Sequence, residues 1–161
     1  VLITKILKDA KEMNLEPTNS TSPGICHWAC AYMDVEVATM MFKLPNCNIN
    51  RLENGKSGAL KLVNRKEKTD VNKMLDCLID NGFAINDMHG GRTPTLLESF
   101  IIAIQKNLDA IQLLINRGAD INAPYLNPRS KKKQTLYEFV MNMGGSNEPL
   151  KKMFRDAHDN H

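Results

Sequence analysis

The dipeptide Ile-Asn recurs at Ile49-Asn50, Ile85-Asn86 and Ile121-Asn122, with 36 residues between successive copies. A fixed period of this size marks a chain built from stacked copies of one supersecondary unit, none of which can bury its apolar face alone. The segments ahead of the last two pairs align as well. Cys77-Leu78-Ile79-Asp80-Asn81-Gly82 lies over Leu113-Leu114-Ile115-Asn116-Arg117-Gly118, and both run on to Ile-Asn.

The first half of each segment reads as the end of a helix. Val71, Met74, Leu75, Leu78 and Ile79 follow i, i+3, i+4, i+7, i+8 spacing and form one apolar stripe. Gly82 and Gly118 then stop their helices, because glycine reaches the left-handed conformation without a Cβ penalty and lets the chain turn into an extended Ile-Asn segment. Seven residues beyond each of the first two Ile-Asn pairs comes a helix opener: Gly55-Lys56-Ser57-Gly58-Ala59-Leu60, then Gly91-Arg92-Thr93-Pro94-Thr95-Leu96. Thr93 is expected to cap its helix and Pro94 to occupy the first helical position, where no backbone donor is needed. Each unit is thus a turn, a helix, a short loop and a second helix.

Gly91-Arg92-Thr93-Pro94, Leu113-Leu114 and Gly118-Ala119-Asp120-Ile121-Asn122-Ala123 together resemble the opener, leucine pair and close of the ankyrin repeat. Cys26-His27-Trp28-Ala29-Cys30 is similar to the family's L-H-x-A-A stretch, and Gln134-Thr135-Leu136-Tyr137 to a decayed T-P-L-H. The resemblance runs from about Thr21 to Phe154. It implies an all-α solenoid of about four units with helical caps: a cap over residues 1–20, repeats over 21–50, 51–86 and 87–122, and a degenerate fourth repeat with its cap over 123–161. Family units have about 33 residues, so these are stretched, and Lys66-Glu67-Lys68-Thr69 reads as an insertion. Leu60 and Leu62 stand where His and Ala are usual in the second unit, as do Leu96 and Glu98 in the third. Leu2, Ile3, Ile6 and Leu7 make the N-terminal cap helix. Leu150, Met153, Phe154 and Ala157 make the C-terminal one behind a Ser146-Asn147-Glu148-Pro149 start, with Lys151, Lys152 and Arg155 on its polar side.

Composition bounds the function. With 161 residues and 42% hydrophobic content, the chain is long enough to bury a core as one soluble domain. No apolar run approaches the roughly 20 residues needed to span a bilayer, and no signal peptide opens the sequence. Since it begins on Val1, it reads as an excerpt or processed product. Cys26, Cys30, Cys47 and Cys77 are too sparse for a disulfide scaffold, which points to a reducing compartment: the cytoplasm, or a host cytosol for a secreted bacterial effector. A net charge of +3 from 21 basic and 18 acidic side chains does not announce a nucleic-acid binder.

Chemistry finds little footing in the pattern. Cys26, His27 and Cys30 are zinc-ligand types, but a structural site needs four ligands and no second Cys-x-x-Cys pair exists, so no metal is expected. Under the ankyrin resemblance His27 bonds between adjacent turns and the two cysteines pack as small core residues. A cysteine–histidine nucleophile fails on geometry: neighbours on a helix point about 100° apart, and His89 on a turn tip has no cysteine beside it. Phosphate-loop, zinc-protease and dinucleotide fingerprints are lacking. His158 and His161 are given no role. Neither catalysis nor a cofactor is expected.

The resemblance implies that turn tips and first helices line a concave groove that grips another protein. Counting from the openers, Lys56, Arg92 and Lys133 fall at matching turn positions, and at about 10 Å per unit they would form a positive row about 20 Å long facing an acidic partner. The fourth turn is longer and carries Tyr125, Leu126, Pro128, Arg129 and Lys131-Lys132-Lys133. Trp28 and Tyr32, one helical turn apart, are candidate aromatic anchors. The expected binding set is therefore Trp28, Tyr32, Glu53, Lys56, His89, Arg92, Tyr125, Lys131 and Lys133, in a monomer with no membrane partner. Nucleic acid is disfavoured, because no aromatics interleave with the cations as stacking platforms. The alternative is an adaptor belonging to a larger effector of an intracellular bacterium, with an enzymatic or ligase-recruiting segment elsewhere. The 15 lysines against 6 arginines, and 17 asparagines, fit the AT-rich coding of such organisms.

Overall fold

The computed structural model describes residues 24–44, 47–53, 56–87, 95–103, 105–127, 131–145 and 147–160. Within them the chain is mostly helical. The order is α1 (Ile25–Tyr32), α2 (Val35–Phe42), β1 (Leu52–Glu53), β2 (Lys56–Ser57), a 3-10 helix (Gly58–Asn64), α3 (Lys68–Asp80), α4 (Leu96–Ile102), α5 (Leu108–Asn116), β3 (Pro124–Leu126), β4 (Lys133–Thr135), α6 (Leu136–Met141) and α7 (Glu148–Asp159). The helices come in consecutive pairs. First members touch along one row, α1 to the 3-10 helix and the 3-10 helix to α4, while second members touch along another, α2 to α3, α3 to α5 and α5 to α7.

The apolar stripe on α3 does what its spacing predicts. Val71, Met74, Leu75 and Leu78 are buried, and Ile111 and Leu114 of α5 continue the same core. Each such side chain removed from water contributes roughly 1.5–3 kcal/mol, so the stack is held mainly by second helices pressing on second helices. Gly58 sets the approach of the first helices: a Cβ there would lie 3.0 Å from the His27 Cα and 3.2 Å from the Cys26 carbonyl carbon. Arg65, in the loop after the 3-10 helix, donates to the carbonyls of Cys30 and Met33 at 3.1 and 2.8 Å, satisfying the open C-terminal end of α1 from the neighbouring pair.

Gly82 and Gly118 end α3 and α5 with φ of +88° and +91°. The Phe83 and Ala119 N–H groups reach back to the Leu78 and Leu114 carbonyls, a Schellman close in both places. The asparagines of the Ile-Asn pairs then link one close to the next. Asn50 donates from Nδ2 to the Gly82 carbonyl at 2.9 Å and accepts at Oδ1 from the Ala84 N–H at 2.9 Å. Asn86 repeats this on Gly118 and Asp120, at 2.9 and 2.8 Å.

Several expectations change. The N-terminal cap helix and the Gly91–Pro94 opener lie outside the described residues. Where the all-α reading has plain turns, there are two short antiparallel hairpins, β1–β2 with Glu53 opposite Lys56 and β3–β4 with Leu126 opposite Lys133. The second pair opens with a 3-10 helix rather than an α-helix, its Ser57 N-cap making no side-chain cap bond. The cap of α4 is Thr95, not Thr93: its side chain accepts from the Glu98 N–H, and Leu96 is the first helical residue. The Lys66–Thr69 insertion turns out to be part loop and part helix, with Lys68 and Thr69 beginning α3, which runs 13 residues against 9 in α5.

Replacing Asn86 by alanine removes two bonds between neighbouring pairs and leaves an N–H and a carbonyl to be satisfied otherwise. It should cost about 1–3 kcal/mol. Asn122 occupies the matching place but makes no side-chain hydrogen bond among the described residues, so Asn122→Ala should change stability by less than about 0.5 kcal/mol. Urea denaturation of the two variants measures the difference.

Candidate functional site

The row of first helices presents the exposed residues. On α1, Cys26, Ala29 and Cys30 face the core, which turns Trp28 and Tyr32 outward at 47% and 75% exposure. Their rings lie 5.0 Å apart, tilted by 41°. Two large aromatics this open have no role in the core; they form a ledge of hydrocarbon with polar tips. Gly58 rests against the Cys26–His27 backbone, which brings the end of β2 up to α1. Lys56 is exposed, and its hairpin partner in register is Glu53.

At the other hairpin, Lys131, Lys132 and Lys133 are all exposed, as is Leu126 at 55%. Lys131 adopts φ of +58°, a left-handed backbone that a non-glycine residue enters at a cost. Two bonds hold it there: the Lys131 N–H donates to the Asn127 carbonyl at 2.9 Å, and the Asn127 N–H to the Lys132 carbonyl at 3.0 Å. Tyr125, expected among the open contacts of this loop, is instead 5% exposed, with its ring 4.2 Å from that of Phe139. Strand alternation explains it: Tyr125 points inward between the exposed Pro124 and Leu126 and fastens the hairpin to α6.

The cations do not share one register. Measured back from the helix caps Ser57 and Thr135, Lys56 is one residue before its cap and Lys133 is two before. Arg92 is three positions before Thr95, and both it and His89 lie outside the described residues; the side chain of Glu53 does also. The spacing lengthens along the chain: seven residues separate Asn50 from its following cap, nine separate Asn86, and thirteen separate Asn122. A pattern in the sequence marks it, since Thr95-x-x-Glu98 and Thr135-x-x-Glu138 both spell a capping box, complete at Thr135 with Glu138 bonding back to the cap N–H at 2.9 Å.

Glu98, in the third unit's opener, has a setting that its place in the sequence does not show. It is half-buried on α4, and burial pushes its carboxyl from an ordinary 4.5 up to about 7. Its charge bears in turn on Tyr125, whose phenol is raised first by burial and then by Glu98. The thiol of Cys77 is also raised, mainly by burial, and donates to the Thr39 carbonyl at 3.5 Å, which keeps it in the unreactive thiol form. Among the described residues no group of three metal-ligating side chains comes together. Nor is any helix among them long and apolar enough to cross a membrane.

The ankyrin repeat family model matches residues 100–125, from the middle of α4 through α5 and its glycine close to the start of β3–β4. No curated protein and no solved structure matches the chain.

Glu98 makes stability depend on pH with a definite sign. Below pH 4.5 both folded and unfolded forms hold the proton. Between pH 4.5 and about 7 the unfolded chain releases it first, so stability falls, and above about 7 the penalty is constant. Glu98→Gln should therefore match the parent at pH 4 and exceed it by about 1–2 kcal/mol at pH 8, allowing for solvent screening of a half-exposed group. Thermal melts at the two pH values read this directly.

Proposed function

We propose, from the ankyrin-repeat match over residues 100–125 and the paired helices around it, that the chain is a non-enzymatic protein-binding module of about four stacked units, closed at its ends by helical caps. Trp28 and Tyr32 are the anchors of its binding surface. The single observation that carries this reading is their exposure as a contacting pair on a first helix. Buried aromatics dominate the energetics of protein interfaces, and an open pair of this kind gains the most when a partner covers it.

Charge selects the partner. Lys56 is exposed on β2, and Lys131 and Lys133 stand on the long fourth hairpin, Lys133 opposite the exposed Leu126, so an acidic segment with apolar residues is the complementary ligand. Arg92 and His89, which lie outside the described residues, and Glu53 opposite Lys56 complete the proposed surface. The offset between Lys56 and Lys133 describes two separate basic points rather than one straight row. Tyr125 supports the fourth hairpin from behind. The left-handed Lys131 is strain retained at a loop tip, where its use is to hold a cation in a fixed direction.

Affinity capture from a cell lysate, run in parallel with Trp28→Ala and with a Lys56→Glu, Arg92→Glu, Lys133→Glu variant, tests the reading. Each should weaken capture at least about tenfold while leaving the helical circular dichroism intact. Undiminished capture by the triple variant at low salt overturns the acidic-partner reading. Lys131→Gly separates strain from function: relief of the left-handed backbone should stabilise the fold by about 1 kcal/mol while capture declines.

A further inference from the structure

At the far end of the helices from the hairpins, a cleft of about 300 Å³ opens between the residues that follow the 3-10 helix and the loop that follows α4. Its inner wall is apolar, from Leu62, Val63 and Ala103, and its rim carries Arg65, Lys66 and Lys68. Among the described residues no carboxylate lines it; Glu67, between the two lysines, is exposed and is not part of the lining. Arg65 gives two of its five N–H groups to the Cys30 and Met33 carbonyls, which fixes the guanidinium and leaves three donors over. Lys68 makes only a long contact, 3.4 Å, to the Lys106 carbonyl.

Asn107 is the residue that makes the cleft more than a basic patch. It lines the cleft, is only 5% exposed, and uses Oδ1 to cap α5 by accepting from the Ala110 N–H at 3.2 Å. That bond decides which end of the amide is which: the oxygen is committed to the helix, and the Nδ2 amino group is left with no acceptor among the described residues. A buried donor of this kind is rare in native proteins and calls for a partner. The partner must bring an acceptor oxygen. Three cations on the rim and the positive N-terminal end of α5 favour one that is negatively charged.

We infer that this cleft is a second binding site, for a small ligand that enters by a carboxylate or phosphate group. The oxyanion is held by Lys66, Lys68 and the free edge of Arg65 and accepts from Asn107 Nδ2, which is covered in the structure and must turn outward to reach it, while a short hydrocarbon body lies against the part-exposed Val63 and Ala103. The volume is at the lower limit of ligand pockets, about 300–1,000 Å³, which suits a compact oxyacid and excludes a folded partner. The site shares no residue with the Trp28–Lys133 surface, so the two stand or fall separately.

The test is a titration of the full chain, followed by proton–nitrogen NMR, with citrate in one arm and pyrophosphate in the other. The expected result is a saturable shift of the Asn107 side-chain amide pair with at least one probe, citrate alone marking a carboxylate ligand and pyrophosphate alone a phosphate one. Asn107→Asp keeps the helix cap, since aspartate caps as well as asparagine, but exchanges the donor for a negative oxygen; it should weaken binding at least about tenfold. Lys66→Gln with Lys68→Gln should weaken it too, and decides the matter if the Asn107 variant fails to fold. The proposal is overturned if neither probe moves Asn107, if the variants bind as the parent does, or if the shifts gather on Lys56 and Lys131–Lys133 instead.

Discussion

The register of the packed helix pairs depends on a side-chain amide that joins one glycine close to the one before it. A helix ended by a left-handed glycine leaves the following loop with backbone groups facing water, and a stack of such loops has no ladder of its own to satisfy them. Asn50 and Asn86 supply both halves of what is missing: each amide donates to the glycine carbonyl and accepts from the N–H two residues on, in the next pair. The interval between Ile-Asn pairs is therefore the distance along the chain from one clamp to the next. That is why the interval stays at 36 residues while the hairpins and helices between vary in length.

That constancy explains how much was legible in the sequence. The α3 stripe, the helix-ending glycines and the Ile-Asn period could be read directly, because each is fixed by a contact repeated in register. The openers could not, because nothing holds their spacing. Thr93-Pro94 has the look of a family opener, yet the helix starts at Thr95, where a glutamate three residues on completes the capping signal and where Leu96, Leu97, Phe100 and Ile101 fall on the buried face. The match to the ankyrin repeat begins at residue 100 and so covers the constant part of the unit and leaves out the variable one.

Of the proposed contacts, exposure alone can be compared with the sequence. Trp28 and Tyr32 could be placed outward because Cys26, Ala29 and Cys30 claim the other face of α1. Tyr125 could not be told from a contact residue without the strand that turns it inward, and the offset between Lys56 and Lys133 follows from hairpins whose lengths differ. Glu98 and Asn107 were invisible for another reason: the meaning of each lies in burial, which raises the proton affinity of one and strands a donor on the other. Neither effect is written in local sequence. Growth of the tips by steps from seven to thirteen residues, over a core of fixed period, lets the hairpins diverge without disturbing the packing beneath them.

Native-state hydrogen exchange of the Ala84 and Asp120 amides tests the clamp most directly. Both lie in loops after helices, and the bond each donates runs to an asparagine side chain of the preceding pair. If the clamps hold the stack, these two amides exchange as slowly as the helical amides of Leu78 and Leu114, opening only when the chain unfolds. Exchange at the rate of a free loop would contradict the account and leave apolar packing alone to hold the pairs in register.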